Sequence, residues 1–328
     1  MLYVTTRNKF DTYTANWANQ MDRGPDGGLF LPFRMPELTK EDLQSLKSQN
    51  FCQRVATMLN SFFGTQLTGW DVELYGGKVP VKLVPVGHRI LVAETWHNHD
   101  QDYARFAARL AARICDSEHS LVKPTSWVSI AIRIAMLYGL FVDLPANQMP
   151  LDLVVATDNF AAPMAAWYAR EMGLPIGNII CSHDHPCVWN LLHQGEVRGD
   201  EHLPENLERL IAATLGVEEN QRFCEIVESG RLYTTRMGML DPLRKGMYAT
   251  VTSRDRVNAV ISSVYRMANY IMGPQTALAF SGLQDYRAKT GGIRNALLLA
   301  ERSPVTDMRT IAASLEMSEY HLREILGV

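Results

Sequence analysis

Residues 151–186 read LDLVVATDNFAAPMAAWYAREMGLPIGNIICSHDHP, and this succession constrains the fold most. An apolar run ends in a turn, a helical segment closes at Gly173, and a second apolar run ends in another turn. A strand, a helix and a strand in that order predict parallel α/β packing, because a helical crossover returns the chain to the same edge of the sheet. In such sheets ligands meet the loops at the carboxyl ends of the strands. The two turns, TDNFA and SHDHP, are therefore the first places to look for a site.

The remaining segments extend this pattern. Residues 1–75 alternate a Gly/Pro-rich turn, RGPDGGLFLPFRMPEL, with two helices. One begins at the Thr39-Lys-Glu-Asp capping pattern, and the other is FCQRVATMLNSFFG, apolar at helical spacing. VPVKLVPVG and HRILVAE are short strands around a Pro-Val-Gly turn. A helix, YARFAARLAARI, follows the histidine-rich turn WHNHDQD, and a long apolar helix covers 126–141. Residues 203–328 are expected to be mostly helical, with one apolar strand, ALLLAE, after Gly291-Gly292. The closing TIAASLEMSEYHLREIL has a helix–turn–helix rhythm. It lacks a basic recognition face, so an amphipathic pair packed on the domain is the better reading.

Composition narrows the function. A net charge of −3, from 32 basic and 35 acidic residues without long single-sign runs, gives no basis for binding nucleic acid. The odd number of cysteines, five, argues against a disulfide framework and for a reducing compartment. The start, MLYVTTRNKFDTY, shows no signal pattern, and the most apolar run, WVSIAIRIAMLYGLFVDL, carries Arg133 and is too short to span a bilayer. A cytoplasmic protein without a membrane partner is the expectation.

Four stretches together resemble threonine synthase, of the tryptophan-synthase-β-like, fold type II pyridoxal-phosphate enzymes. They are PDGGLFLPFRMPEL at 25–38, ETWHNHDQDYARFAARL at 94–110, the strand–helix–strand stretch 154–197, and SVYRMANYIMGPQTALAFSGLQDY at 263–286. The resemblance implies an α/β large domain with a parallel sheet and flanking helices. It divides the chain into an N-terminal region, 1–90, and an α/β domain, 91–328, ending in helices. It also implies a homodimer.

Against that pattern the catalytic parts are replaced. The family's Schiff-base lysine falls on Ala104, and an alanine has no amine. Its glycine-bounded phosphate loop reads Asp158-Asn159-Phe160-Ala161, placing a carboxylate where a phosphate would bind a helix N-terminus. The ring-nitrogen partner falls near Glu301, and the histidine of Pro-His-Thr-Ala is Gln275. The mobile small lobe is expected to be largely deleted, because CDSEHSLVKPTS is too short to build a βαβ crossover. No catalytic residue and no pyridoxal phosphate are expected; an atypical lyase would need Lys123, the only lysine between Lys82 and Lys245.

The replacements carry chemistry of their own. His97, His99 and Asp100 in one turn, and His183, Asp184 and His185 in another, would line one cleft in the family fold. His97, His183 and His185 are candidate ligands for zinc or another transition metal. The preferred reading is polar drift in a lapsed cleft, because the spacing matches no zinc signature. The aromatic residues Trp96, Tyr103 and Trp127 are read as core before ligand stacking. The leading expectation is a small-ligand-binding or partner subunit; the alternative is an enzyme with new, metal-dependent chemistry.

Overall fold

The computed structural model describes residues 1–36, 38–76, 81–96, 103–115, 123, 125–157, 159–199 and 202–328. The chain opens with β1 (Leu2–Thr5), β2 (Tyr13–Thr14), α1 (Ala15–Gln20) and β3 (Phe30–Pro32), whose strands pair antiparallel in the order β2-β1-β3. This small sheet was not legible in the sequence. Next come α2 (Lys40–Lys47), α3 (Phe51–Phe63) and α4 (Gly69–Gly76). Thr39 and Asp42 form the anticipated capping box at α2, and Asn50 with Gln53 forms another at α3. Each satisfies amide groups that a helix start leaves without partners. Gly64 ends α3 at φ 67°, a left-handed conformation in which a side chain would be strained.

The body follows as β4 (Lys82–Gly87), β5 (Ile90–Glu94), α5 (Tyr103–Cys115), α6 (Trp127–Phe141), β6 (Leu151–Ala156), α7 (Ala161–Glu171) and β7 (Ile176–His183). Then α8 (Cys187–Gln194), β8 (Glu196–Arg198), α9 (Leu207–Thr214), α10 (Val217–Glu228) and β9 (Leu232–Thr234) form a mostly helical flank. The chain closes with α11 (Leu240–Arg244), β10 (Met247–Val251), α12 (Arg254–Ala268), α13 (Pro274–Thr290), β11 (Ala296–Ala300), α14 (Met308–Ser314) and α15 (Glu319–Leu326).

One six-stranded sheet, in the order β10-β7-β6-β11-β5-β4, organises this body. It is parallel except for β4, which turns back antiparallel on β5. The parallel pairing of β6 with β7 through α7 is the expected unit. Two features differ from expectation. The sheet is mixed, since the short link between β4 and β5 allows only a hairpin. Two further strands, β9 and β10, lie inside the segment read as helical apart from ALLLAE.

Alternate residues of each strand enter different cores, as a period of two requires. Leu153, Val155 and Leu297 join α3, α5, α6 and α7 on one face, and Val154, Ile180 and Leu298 join α12, α13 and α14 on the other. Burying each such aliphatic side chain contributes about 1.5–3 kcal/mol. Every residue of α6 except Arg133 is buried. A helix apolar all round belongs in the middle of a core, and its one cation marks where that core meets something else. At Gly282 of α13 an added Cβ would lie 2.8 Å from Ser182 Cβ, so the helix sits directly on the sheet.

The N-terminal region is clasped to this body. Tyr3 donates to Phe62 O at 2.7 Å, and Glu208 on α9 accepts from Arg7 Nε at 3.0 Å and Arg23 Nη1 at 3.1 Å. The closing α14 and α15 pack with Ile311 and Leu322 buried, as the amphipathic reading expects. Among the described residues no helix is long and apolar enough to cross a membrane. No disulfide joins any of the five cysteines.

Candidate functional site

The carboxyl ends of β6 and β11 open onto a cavity of about 60 Å³. Thr157, Asn159, Phe160, the start of α7, Gln275, Arg133 and Glu301 line it. The turn into α7 keeps a demanding geometry: Phe160, buried, sits at φ 63°, where a bulky residue is strained and must be held by its surroundings. Asn159 supplies that hold. Its Oδ1 accepts the Ala161 N–H at 2.9 Å, and its carbonyl accepts both the backbone N–H and the side-chain Nδ2–H of Asn206 at 3.2 and 2.9 Å. Behind it, the wholly buried Arg209 donates to Asn206 Oδ1, to Phe30 O at 2.9 Å and to Thr125 O at 2.7 Å. Burial pushes this guanidinium down to about 10, so it stays charged at neutral pH.

The centre of the cleft is an ion pair. Arg133 Nε and Nη2 each donate to one oxygen of the Glu301 carboxylate, both at 2.8 Å. Arg133 Nη1 donates to Ser129 Oγ at 2.8 Å, and its Cζ lies 4.1 Å over the Tyr103 ring. The side chains are only 13% and 23% exposed. A two-point fork with a stacked ring is the geometry in which arginine loses least by leaving water. Burial, with Glu301 nearby, raises the Tyr103 phenol above its ordinary range despite Arg133 beside it, so Tyr103 is neutral. The same Arg133, Leu299 and Glu301 also line a second cavity of about 20 Å³, which Tyr103 and Thr95 close.

Of the candidates, Asn159, Phe160 and Glu301 line one cavity, together with Gln275. His183, Asp184 and His185 do not join them. They form a tight turn at the end of β7, with the His185 N–H donating to His183 Nδ1 at 2.7 Å and the two rings 5.7 Å apart. An accepting Nδ1 places the ring proton on Nε2. Asp184 Oδ1 also lies 3.2 Å from Nδ1, but an acceptor gains nothing there, so the amide contact defines the tautomer. β5 stands three strand spacings from β7, about 14 Å, with β11 and β6 between. Among the described residues no three His, Cys, Asp or Glu side chains are placed to hold a metal. The nearby Cys181 thiol is pushed up by complete burial, which opposes the thiolate a metal would need. His97, His99, Asp100 and Asp158 lie outside the described residues.

Ala104 is exposed on the first turn of α5 and lines neither cavity; its neighbour Tyr103 does. Lys123 is 62% exposed and pairs with Asp22 at 3.2 Å. Trp127 and Tyr103 are buried core residues. Arg133 is the cleft residue that the sequence reading did not place there. Its signal was present: it is the one charged residue in WVSIAIRIAMLYGLF. Arg209 gave no such signal.

A pyridoxal phosphate of the kind this fold implies needs an amine, room for a ring and donors for a phosphate. No described lysine lines either cavity, and a space of about 60 Å³ holds a few waters, against about 300 Å³ or more for ordinary ligand pockets. Among the described residues, those lining the cleft do not fit the group: they supply no amine, and the Arg133 fork takes up the room beside Glu301.

Residues 2–74 match the threonine synthase N terminus family. The human protein threonine synthase-like 1 is 24% identical over 203 residues, which cover 55% of this chain and 27% of that protein. The chain thus spans about a quarter of the length of the curated relatives it matches. Two solved structures superpose on nearly all of it. Pyridoxal-phosphate-bound threonine synthase from Brucella melitensis gives a TM-score of 0.84 at 18% identity, covering 96% of this chain and 91% of that one. Threonine synthase from yeast gives 0.79 at 14%, covering 96% and 90%. Residues 2–74 thus match a threonine synthase N terminus, and the fold of the chain is that of the solved threonine synthases, of pyridoxal-phosphate fold type II.

Proposed function

We propose that this threonine-synthase-like chain has lost pyridoxal-phosphate catalysis and acts as a small-ligand-binding or partner subunit, in a homodimer. The Arg133–Glu301 pair carries the reading. It stands at the carboxyl ends of β6 and β11, beside the turn that the resemblance aligns with the family's phosphate loop, and Ala104 falls where that resemblance puts the Schiff-base lysine. The partner role draws support from apolar side chains left on the N-terminal sheet. Leu2 and Phe33 are both half exposed and adjacent, with the Phe33 N–H donating to Leu2 O at 2.9 Å.

The test is to incubate purified protein with pyridoxal phosphate, reduce with borohydride and map peptides. No pyridoxyl-lysine is expected. A stoichiometric adduct, at Lys123 or elsewhere, would overturn the reading in favour of an atypical lyase.

A further inference from the structure

We infer that Arg133 is an internal ligand of the cleft: its guanidinium occupies the space an external molecule would fill and locks α5, α6 and β11 together. This deepens the proposed function and rests on it. Three observations carry it. Arg133, Leu299 and Glu301 are shared by the linings of both cavities, so the ion pair and Leu299 stand between two small voids. The guanidinium is held as a bound ligand would be, by a two-point fork on Glu301, a hydroxyl acceptor on Ser129 and a stacked ring on Tyr103.

The contacts also close a ring through three elements. Arg133 on α6 grips the Glu301 carboxylate just beyond β11, and the Glu301 carbonyl accepts the Tyr103 N–H at 3.1 Å, at the first residue of α5. The Tyr103 hydroxyl then returns to α6 by donating to Ser129 O at 3.3 Å, on the residue whose hydroxyl holds Arg133. An ordinary surface ion pair ties two side chains. This one ties the start of one helix, the middle of another and the end of a central strand.

Chemical rescue tests the inference. Arg133→Ala should leave a guanidinium-shaped void beside Glu301 and lower the melting temperature by roughly 4–10 °C. Methylguanidinium at tens of millimolar should raise the melting temperature of that variant, and not that of the parent or of Arg133→Ala/Glu301→Ala. Ammonium at equal ionic strength should not do so. Arg133→Lys should lose most of the same stability, because a point charge cannot make the fork. Failure of methylguanidinium to exceed ammonium, or a lysine variant equal to the parent, would overturn the inference. Should Arg133→Ala not fold unaided, a cycle of Arg133→Met and Glu301→Gln asks the same question. The double variant should unfold roughly tenfold less readily than additivity requires, and additivity would count against an interlock. A borohydride adduct would instead remove the proposed function, so the two failures are separate results.

Discussion

Two arginine–glutamate clusters invite comparison. At the junction of the N-terminal region with α9, Glu208 is gripped by Arg7 and Arg23, and its side chain is 6% exposed. In the cleft, Glu301 is gripped by the fork of Arg133 and is 23% exposed. The first cluster joins a region that matches the threonine synthase N terminus to the body, and it works as a clasp whatever the cleft contains. The second stands at the mouth of the sheet, where a charged fork has no packing reason to be unless it fills space. The same chemistry therefore holds the scaffold in one place and occupies the site in the other. On the reading proposed above, a scaffold is retained while the centre it was built around is rewritten.

The largest expected effect lies at the clasp. Glu208→Ala should cost about 2–4 kcal/mol in denaturant unfolding, below the range for wholly buried pairs because both guanidinium groups keep some solvent. A cost under about 1 kcal/mol would show that the Glu208 cluster is not the clasp this comparison makes it. The pH dependence sharpens this. Burial alone would raise the Glu208 carboxyl, but Arg7, Thr6 and Arg23 together hold it below its ordinary value of 4.5. Its contribution is thus complete above that value and lost as pH falls through the lowered one. Glu208→Gln should flatten this acid limb of the stability profile; an unchanged limb would assign acid sensitivity elsewhere.

A smaller effect is expected at the histidine turn. His183→Ala removes the acceptor of the His185 amide and should cost about 1–2 kcal/mol. Elemental analysis of untagged parent protein should find metal well below one equivalent. Stoichiometric zinc in the parent that vanishes in the variant would move the protein to a metal-dependent enzyme using His97, His183 and His185.

Ala104→Lys should change least of all. The new amine would begin on the exposed side of α5 while the Arg133 fork still fills the cleft. Neither tight pyridoxal phosphate binding nor threonine formation from phosphohomoserine is expected. Threonine formation in this single variant would show that the cleft opens far more readily than its ion pair suggests.

What the sequence disclosed and what it withheld follow from the range of the interactions. Thr39 with Asp42 and Gly64 announced helix boundaries because a cap is decided within four residues. The β6–α7–β7 unit was legible because its apolar runs and its closing Gly173 are local. β10 was not: its five residues, MYATV, have no clear period and become a strand only beside β7. Asn159 and Glu301 were placed at the cleft through resemblance, but the partner of Glu301 lies 168 residues away along the chain. No spacing rule reaches that far. Arg133 could be noticed as a cation in an apolar helix, yet only the fold says which carboxylate it meets.

The central claim is that the cleft is filled by the protein itself and forms no Schiff base. Its most direct test is the visible absorption spectrum of the purified parent chain, recorded alone and during titration with pyridoxal phosphate. The expected spectrum is colourless at first and then the simple sum of protein and free aldehyde at every addition, with no new band and no saturation. An internal-aldimine band in the isolated protein, or one that grows to saturation at one equivalent, would contradict the claim.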